Sequence, residues 1–370
     1  MKFICDQQRL NKSINIISKA VTARTTLPIL KGILIEVSPE GTLRMSASDL
    51  DITIEDTISV EAAEEGKTVV QAKLFSDIIR KMPNAEVTVE EQDGNIKVSC
   101  MNSEFSLIGM SPDEFPNIKN TNPEEEAIPF EKDTFSSMIK KTSFAASADA
   151  SRGVLCGILT EIQGGEMRMV AIDGYRMAIC NSPVPGAEEK KYIISAKIMS
   201  DISKIIAESA SEEPIQVITD EKSAVFLISN TRVVARVIAG EFIKYQDILP
   251  KESKIQIKVN RNLLLESIER ASLVSNDGKN NLIKMSITQQ VITITSKSEE
   301  GNVTEEVLAE KQGDDLEIGF NAKYISDVLR AIEDSEIVLK MNTSISACLI
   351  EPAQGNAYQY LILPVRLSSN

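Results

Sequence analysis

Apolar residues recur at helical spacing near the start of the chain. Leu10, Ile14 and Ile17 share one face of a segment whose other positions are polar, and this pattern predicts an amphipathic helix over residues 6–24. The same spacing predicts five further helices, over residues 72–82, 133–142, 196–208, 260–271 and 322–333.

Between the predicted helices the apolar residues alternate with polar ones. Ile33, Ile35 and Val37 occupy every second position, and the alternation resumes at Leu43 after a turn at 38–41. Further hairpin turns are indicated by the dipeptides Asp93-Gly94 and Gly164-Gly165. Runs of strands between isolated helices predict an antiparallel α+β fold, with two helices and about eight strands in each repeating unit.

The hexapeptide A-K-x-x-S-D occurs three times, at separations of 124 and 126 residues. Its copies begin at Ala72, Ala196 and Ala322, and each opens one of the predicted helices. Other landmarks keep nearly the same offset: Gly32-Ile33-Leu34 recurs as Gly157-Ile158-Leu159, Asp49 as Asp173, and Glu114-Phe115 as Glu241-Phe242. Several landmarks in register indicate a triplicated domain.

Three copies of this domain fill the chain. We predict domains over residues 1–122, 127–250 and 253–370. The polar, proline-containing segments 119–126 and 250–253 are the predicted linkers. No length remains for a separate catalytic domain.

Charge is divided unevenly between the predicted helices and the rest of the chain. The net charge of −14 argues by itself against nucleic acid as a partner. The six helices nevertheless hold 15 Lys and Arg against 9 Asp and Glu, whereas the remainder holds 25 against 45. Two interpretations stand: the helices build a surface that faces a polyanion, or they present ordinary solvated faces.

The composition excludes several classes of chemistry. Histidine is absent, so Ser-His-Asp and Cys-His catalysis are excluded. Neither a G-x-x-x-x-G-K-[ST] phosphate loop nor a G-x-G-x-x-G dinucleotide motif occurs. Tryptophan is absent and aromatic residues make up only 4% of the chain, which disfavours a base-stacking binder of single strands. We therefore expect a protein that is not an enzyme and needs no cofactor.

Acidic residues offer few candidates for metal or acid–base chemistry. Asp314-Asp315 and the run at 124–126 are typical of solvated loops, so we expect no metal site. Asp49 and Asp173 occupy equivalent places in two repeats, which favours a shared role as a turn or cap over an acid–base pair.

Cysteine usage and hydropathy indicate a cytoplasmic protein without membrane segments. The five cysteines include no C-x-x-C pair, which favours reduced, buried thiols. No apolar run approaches the ~20 residues of a membrane span, and the residues after Met1 turn polar too soon for a signal peptide.

The last residues of the sequence are apolar almost throughout. Leu361, Ile362 and Leu363 precede Pro364, which cannot continue a central strand. One interpretation is a final strand that pairs within the third domain. The other adds that the residues after Pro364 lie exposed as one wall of an apolar groove for a partner peptide.

Several segments, in their order and spacing, resemble the bacterial DNA sliding clamp, the beta subunit of DNA polymerase III. They are Met1-Lys2-Phe3, Thr26–Leu30, Phe105–Leu107 with Asp113–Ile118, Asp173–Ala178 and Leu363–Leu367. The resemblance covers the whole chain.

The resemblance implies a ring formed by a head-to-tail homodimer, with helices lining the hole and sheets forming the rim. Such a clamp encircles double-stranded DNA without reading its sequence and acts as a processivity factor for the replicative polymerase. A separate clamp loader opens the ring, and repair proteins dock through a clamp-binding motif of glutamine and hydrophobic anchors. A protein held by topology needs only weak phosphate contacts, so the acidic net charge is compatible with this role.

The resemblance also implies particular site residues. The DNA-facing residues would be Arg24, Arg152, Lys12, Lys73, Lys197, Lys204, Lys279 and Lys323. The partner groove would contain Leu155, Ile172, Gly174, Tyr175, Arg176, Met177, Ile248, Leu361, Ile362, Leu363, Pro364, Val365 and Arg366. The subunit contact would join Lys73, Leu74 and Leu107 of the first domain to Leu273 and Val274 of the third.

The chain departs from the family pattern at the groove. Tyr175 stands where many relatives carry His, and Asp247 where some carry a basic residue, so partner affinity is expected to differ. The competing hypothesis is a triplicated adaptor that binds protein peptides and does not encircle DNA.

Overall fold

The computed structural model describes residues 1–23, 25–117, 127–275 and 281–367. The α-helices are α1 (Gln7–Ile17), α2 (Ala72–Lys81), α3 (Lys132–Ser143), α4 (Ala196–Glu208), α5 (Arg261–Ser275) and α6 (Ala322–Ala331). All six predicted helices are therefore confirmed in position; four of them match their predicted extent within two residues, and α5 continues four residues beyond its predicted end at 271.

The first helix is shorter than the predicted segment 6–24. α1 ends at Ile17, a 3-10 turn follows over Ser18–Ala20, and Val21 is extended with φ −82° and ψ 131°. Arg24 lies outside the described residues.

The described part of the chain also contains twenty-five strands. Every pairing between these strands is antiparallel, as predicted. The strands are β1 (Lys2–Asp6), β2 (Gly32–Val37), β3 (Thr42–Ser48), β4 (Ile52–Ser59), β5 (Glu61–Glu64), β6 (Gly66–Gln71), β7 (Glu86–Gln92), β8 (Asn95–Cys100), β9 (Ser103–Ile108), β10 (Ile128–Phe130), β11 (Gly157–Gln163), β12 (Glu166–Ile172), β13 (Arg176–Pro183), β14 (Lys190–Ser195), β15 (Ile215–Thr219), β16 (Ser223–Ile228), β17 (Thr231–Arg236), β18 (Ile255–Asn260), β19 (Leu282–Ile287), β20 (Val291–Lys297), β21 (Asn302–Gln312), β22 (Leu316–Asn321), β23 (Glu336–Met341), β24 (Cys348–Pro352) and β25 (Tyr358–Ile362).

The chain divides into two compact units, 1–133 with 201–237 and 134–200 with 238–370. The first unit holds a sheet in the order β5-β1-β7-β8-β9 and a second sheet in the order β10-β15-β16-β17-β4-β3-β2-β6. The second unit holds one sheet, β14-β11-β12-β13-β25-β24-β23-β18-β21-β20-β19-β22. Because the larger sheets contain strands from two repeats, the compact units do not follow the repeat boundaries.

The triplication is visible as three equivalent meanders. Each consists of three strands flanked by an edge strand: β2-β3-β4 with β6, β11-β12-β13 with β14, and β19-β20-β21 with β22. The predicted two-residue hairpin turns are confirmed, because Asp93 and Gly94 both have positive φ (51° and 79°), as do Gly164 and Gly165 (60° and 78°).

A later segment of the chain covers each of the edge strands β6, β14 and β22. The contacts are a bridge from Val69 to Met110, a hydrogen bond from Ile238 N to Ile193 O, and a bridge from Gly319 to Val365. A Cβ atom at Gly319 would lie 2.7 Å from Val365 O, so this close approach requires glycine. The apolar segment after Pro364 therefore seals a sheet edge.

Strands from different repeats pair at two places, which we name the first junction (β4 with β17) and the second junction (β13 with β25). Ala235 lies opposite Ile52 in the first, and Ile362 lies opposite Arg176 in the second. The next residues continue the match, since Arg236 N donates to Asp51 O at 2.8 Å and Leu363 N donates to Tyr175 O at 2.9 Å. The same backbone geometry is thus built twice.

The repeated hexapeptide orients its helices in one way. Its alanines, Ala72, Ala196 and Ala322, are buried in the core, and the lysines that follow them are exposed. One face of each helix therefore packs on a sheet while the hexapeptide lysine stays in water.

Candidate functional site

A cluster of buried apolar side chains lies on one face of the sheet at the second junction. Ile172, Met177 and Leu361 are neighbours on β12, β13 and β25 and form its centre. The other buried members are Leu159, Val170, Ile179, Ile193, Phe242, Tyr245 and Leu349, with half-buried Val154, Leu155, Ile238, Leu249 and Ala347 packed against them. We name this set the groove cluster.

Large apolar side chains are exposed next to the groove cluster. Tyr175 is 57% exposed, Ile248 43% and Leu363 41%. Ile248 N donates to the backbone of the cluster residue Tyr245, at Tyr245 O, with a distance of 3.1 Å. Leu363 N donates to Tyr175 O at 2.9 Å, so these two exposed residues adjoin each other. Exposed apolar residues beside an apolar floor are typical of a docking surface for a peptide.

Two predicted groove residues face away from this surface. Successive residues of a strand point to opposite faces, so Arg176 and Ile362 lie on the other side of the sheet from Met177 and Leu361. Arg176 is 8% exposed and Ile362 is fully buried. Among the remaining predicted residues, Leu155, Pro364 and Val365 are half-buried and Arg366 is exposed.

The turn between β12 and β13 presents Tyr175. Asp173 Oδ1 accepts hydrogen bonds from Tyr175 N at 2.8 Å and Arg176 N at 3.0 Å. Gly174 has φ 92°, a left-handed value that glycine adopts without strain. Asp49 Oδ1 caps the equivalent turn of the first repeat through Asp51 N and Ile52 N. The prediction that Asp49 and Asp173 share a role as caps is confirmed.

Arg176 is held beneath the turn by buried partners. Its guanidinium donates to Asp173 Oδ2 at 3.0 Å, to Asp327 Oδ2 at 2.7 Å and to Phe144 O at 2.6 Å. It also lies 4.7 Å from the ring centroid of Tyr324, whose phenol has its pKa raised by burial and by the nearby Asp173 carboxylate. Arg176 therefore supports, from the opposite face of the sheet, the turn that presents Tyr175; this turn and Leu363 form the groove rim.

Sequence reasoning missed several members of the groove cluster, above all Phe242 and Tyr245. The Tyr245 hydroxyl donates to Glu161 Oε2 at 2.7 Å and accepts from Arg168 Nη1 at 3.3 Å. Burial raises the pKa of Tyr245 to about 12, so the phenol stays neutral. The recurrence of Glu114-Phe115 as Glu241-Phe242 was the available signal, because Phe115 packs in the matching cluster of the first repeat.

The helix-borne lysines predicted to face DNA are exposed wherever they are described. Lys204 is paired with Asp201 at 2.8 Å and Lys323 with Asp327 at 3.0 Å. The others are Lys12, Lys73 and Lys197. Arg152 is also exposed and donates through Nη1 to Asp173 O at 2.7 Å. Arg24 and Lys279 lie outside the described residues.

The predicted subunit contacts include strongly exposed apolar residues. Leu74 is 46% exposed and Leu273 is 73% exposed, whereas Val274 is half-buried and Leu107 is 9% exposed. Lys73 is exposed on α2 beside Leu74. Leu107 lies on β9, a sheet edge of the first unit, and the helix α5 that carries Leu273 and Val274 contacts β21 of the second unit.

The described part of the chain gives little support for a metal site, a disulfide or a membrane span. No cluster of three or more acidic, Cys or His ligands occurs there, and Asp315 of the predicted solvated run is ion-paired with Lys311. All five cysteines are free thiols, and four of them are buried. Among the described residues, no helix combines the length and apolar character that crossing a membrane requires.

Comparison with known proteins gives the same family along the whole chain. The models of the N-terminal, central and C-terminal domains of the DNA polymerase III beta subunit match residues 1–119, 129–244 and 246–366. A beta sliding clamp of Bacillus subtilis (strain 168) is 32% identical, covering 99% of this chain and 100% of the relative.

Solved structures agree with this assignment. The DNA polymerase sliding clamp of Bacillus subtilis superposes with a TM-score of 0.94 at 32% identity, covering 100% of both chains. The DNA polymerase III beta subunit of Thermotoga maritima gives 0.92 at 29% identity, covering 99% of this chain and 100% of that chain. The chain therefore belongs to the DNA polymerase III beta subunit family, the sliding clamps of DNA replication.

Proposed function

We propose that two copies of this chain close head to tail into a ring around double-stranded DNA. The ring acts as a processivity factor that tethers the replicative polymerase and repair proteins through the groove cluster. One observation carries the proposal: the chain uses the same strand pairing at two junctions and leaves the two strands of a third junction with open edges.

The open edges belong to β9 and to the first part of β21. β9 has β8 as its one neighbour, and residues 302–308 of β21 pair with β20 alone, whereas residues 309–312 also reach β18. β9 follows β8 as β17 follows β16 and β25 follows β24. β21 follows β20 as β4 follows β3 and β13 follows β12. β9 of one copy is therefore the counterpart for β21 of another.

The exposed side chains on β9 support this pairing. Phe105 is 42% exposed and Ile108 is 84% exposed, which is unusual for apolar residues on a sheet edge. Two such contacts related by symmetry close a ring of six repeats and leave neither β9 nor the first part of β21 open for further copies.

The register of the intersubunit pair follows from the two existing junctions. Val234 lies opposite Thr53, and Leu361 lies opposite Met177. The matching residues of the third junction are Ser106 and Asn302, both exposed. We expect Ser106→Cys combined with Asn302→Cys to form a disulfide between copies under oxidation, because directly opposed Cβ atoms lie within reach of one another.

Two controls make the cross-linking experiment decisive. Neither single variant should cross-link, and pairing Ser106→Cys with Thr304→Cys should fail because the strands are then out of register by two residues.

The mass of the dimer in solution, measured by light scattering, should fall to that of a monomer in the Leu273→Asp variant. The matched variant Leu263→Asp, at a 53% exposed position on the same helix, should leave it unchanged. A monomeric wild-type protein in solution would contradict the proposal of a ring of two copies.

Binding to DNA by encirclement fits the distribution of charge. The acidic chain as a whole repels a polyanion, and the exposed hexapeptide lysines offer a few weak phosphate contacts on helices. Few contacts of this kind let a closed ring slide and do not read sequence.

The proposed ring role has no catalytic step. Asp49 and Asp173 cap turns, and the chain contains no histidine. The opening of the ring falls to a separate clamp loader. The free, mostly buried cysteines fit a reducing cytoplasm as the site of action.

Retention on circular DNA tests encirclement directly. After loading onto a nicked circular plasmid by a clamp loader, the protein should stay bound through a salt wash and leave when the plasmid is cut once. Equal loss from circular and linear DNA would support the alternative, an adaptor that binds peptides without encircling DNA.

A truncation tests the groove separately from the ring. Removal of Arg366–Asn370 spares Leu363 and Val365, which bridges Gly319, and takes away Arg366, an exposed residue of the predicted groove wall. We expect the affinity for a partner peptide to fall about tenfold or more, with the dimer retained. Unchanged affinity would contradict the assignment of the wall.

A further inference from the structure

Asp327 of α6 accepts from two cations that face different surroundings. Its Oδ2 accepts from Arg176 Nη1 at 2.7 Å and from Lys323 Nζ at 3.0 Å. The side chain of Asp327 is 15% exposed and that of Arg176 is 8% exposed, whereas Lys323 is 62% exposed. Asp327 therefore joins an exposed lysine on a helix to a buried arginine under the groove.

Arg176 carries this connection to the groove rim. Its Nε donates to Asp173 Oδ2 at 3.0 Å, and its guanidinium lies 4.7 Å from the ring centroid of Tyr324. Tyr324 stacks on Tyr175 with a centroid separation of 5.9 Å. A shift of Arg176 thus moves both the cap of the turn and the support of its exposed aromatic ring.

Arg152 contacts the same turn from another side. Its Nη1 donates to Asp173 O at 2.7 Å, and its Nη2 lies only 3.1 Å from where a Cβ atom of Gly174 would be. Two residues proposed to face DNA, Arg152 and Lys323, therefore help to hold the turn that presents Tyr175.

The other repeats lack this arrangement among their described contacts. Asp77 and Asp201, which match Asp327, form ion pairs within their own helices. Ile52 takes the place of Arg176 at the first junction. The connection is a property of particular side chains at the second junction and not of the repeated fold.

We propose that Asp327 is a positioning residue through which duplex DNA in the ring changes the shape of the partner groove. This inference rests on the proposed function. Phosphates compete with Asp327 for Lys323 and with the Asp173 carbonyl for Arg152. When both cations turn to DNA, Asp327 is left with a stronger pull on Arg176, which it already contacts, and the Tyr175 ring changes its surroundings. By linkage, a bound partner peptide changes the affinity for DNA by the same factor.

The absence of tryptophan from the chain provides a clean reporter. Tyr175→Trp places a single indole at the groove rim, where its fluorescence reports the surroundings of the turn. A short linear duplex at low ionic strength is the probe, and anisotropy of a dye on the duplex measures binding independently. We expect the indole emission to shift as the duplex binds.

Three further substitutions in the Tyr175→Trp background assign the shift. Asp327→Asn and Lys323→Ala should each reduce it by roughly threefold or more, as expected for residues in one coupled network. Lys197→Ala removes the same charge from the matching helix position, so its duplex binding should weaken as in Lys323→Ala, but its emission shift at saturating duplex should equal that of the parent Tyr175→Trp protein. Thermal unfolding of each variant identifies any that fails to fold, and the exposed Lys323→Ala variant keeps the comparison available if Asp327→Asn is unstable.

The possible failures are distinguishable. Duplex binding without an emission shift, or an equal shift in Lys323→Ala and Lys197→Ala, overturns the inference and leaves the clamp function intact. No duplex binding by any variant, together with no retention on circular DNA, overturns the proposed function and the inference with it.

Discussion

The first and second junctions share one backbone register and carry opposite chemistry on the same face of the sheet. At the second junction, the cross-strand pairs beneath the groove are Val170 with Ile179 and Ile172 with Met177. At the first junction, the matching pairs are Ser46 with Glu55 and Ser48 with Thr53. The face is apolar in one place and polar in the other.

Most polar side chains at the first junction have partners, although the buried Ser46 Oγ has none among the described residues. Ser48 Oγ and Thr53 Oγ1 lie 2.8 Å apart, and Glu55 is ion-paired with Arg232 of β17. A buried polar face of this kind offers nothing to an apolar side chain from a partner, because binding would cover polar groups without replacing their contacts.

The rims differ in the same sense. Where the second junction has Tyr175 and Leu363, the first has Asp51 and Arg236, which form an ion pair at 3.6 Å. The repeated fold therefore supplies the sheet edge and the turn at both junctions. About six side chains, four on the face of the sheet and two at the rim, decide whether a groove results. Of these two junctions, the second is therefore the one that offers an apolar partner groove.

Exchanging the rims should have the largest effect. Tyr175→Asp with Leu363→Arg installs the charged pair of the first junction at the second. We expect the affinity for a peptide with glutamine and hydrophobic anchors to fall by about 30-fold or more, because two exposed apolar contacts become charges. Fluorescence anisotropy of a labelled peptide measures this, and thermal unfolding should change little because both positions are exposed.

The reverse exchange is the matched control. Asp51→Tyr with Arg236→Leu makes the first rim apolar but keeps its polar floor, so no second peptide site should appear. Two peptides bound per chain would show that the rim alone makes a groove and would break the comparison of the floors.

An intermediate effect is expected at the residue before each rim. Leu50 and Gly174 occupy matching positions with φ 78° and 92°. Leu50→Gly should raise the free energy of unfolding by about 1 kcal/mol, because glycine removes the strain of a left-handed backbone. Gly174→Leu should lower it by a similar amount and also weaken peptide binding, since its Cβ atom would approach Arg152 Nη2. Denaturant unfolding checks both, and equal responses of the two junctions would contradict the assignment.

The smallest effect concerns titration within the strands. Asp56 at the first junction is 4% exposed and accepts from Ser13 Oγ and from Thr231 Oγ1 at 2.7 Å, and burial raises its carboxyl pKa. At the matching position of the second junction, burial raises the pKa of Cys180 to about 11, so that thiol is neutral at ordinary pH.

The raised pKa fixes the sign of the effect. The folded state holds the Asp56 proton more tightly than the unfolded state, so its contribution to stability is present at acid pH and is lost as the pH rises through the folded value. Asp56→Asn does not titrate. The free energy of unfolding of Asp56→Asn should therefore gain on that of the wild type as the pH rises from about 4 through the raised folded pKa of Asp56. A difference independent of pH would remove Asp56 from the titrating groups.

Much of the fold follows from pattern. The six helices, the hairpin turns and the triplication are local or periodic features, so one sequence suffices to find them. The apolar strip of Ile172, Met177 and Leu361 was also accessible, because alternation assigns these residues to one face once the strands are known.

The rest depends on contacts between distant segments. Phe242 and Tyr245 enter the groove cluster from a loop, and no spacing rule links them to Leu361. The family resemblance assigned Arg176 to the groove, yet the alternation of the strand turns it to the opposite face, towards Asp327. The end of α1 at Ile17 was missed because apolar spacing continues to Val21 after the helix has stopped.

The covered sheet edges protect the protein against aggregation at the high protein concentration inside a cell. β6, β14 and β22 are sealed by later chain, β10 carries Pro129, and β5 carries Glu61 and Glu64. Each of these features discourages the stacking of strands from one molecule onto another, which is the route to insoluble aggregates. In the described part of the chain, the open edges of β9 and of residues 302–308 of β21 are the exceptions, and in the proposed ring a second copy of the chain covers both.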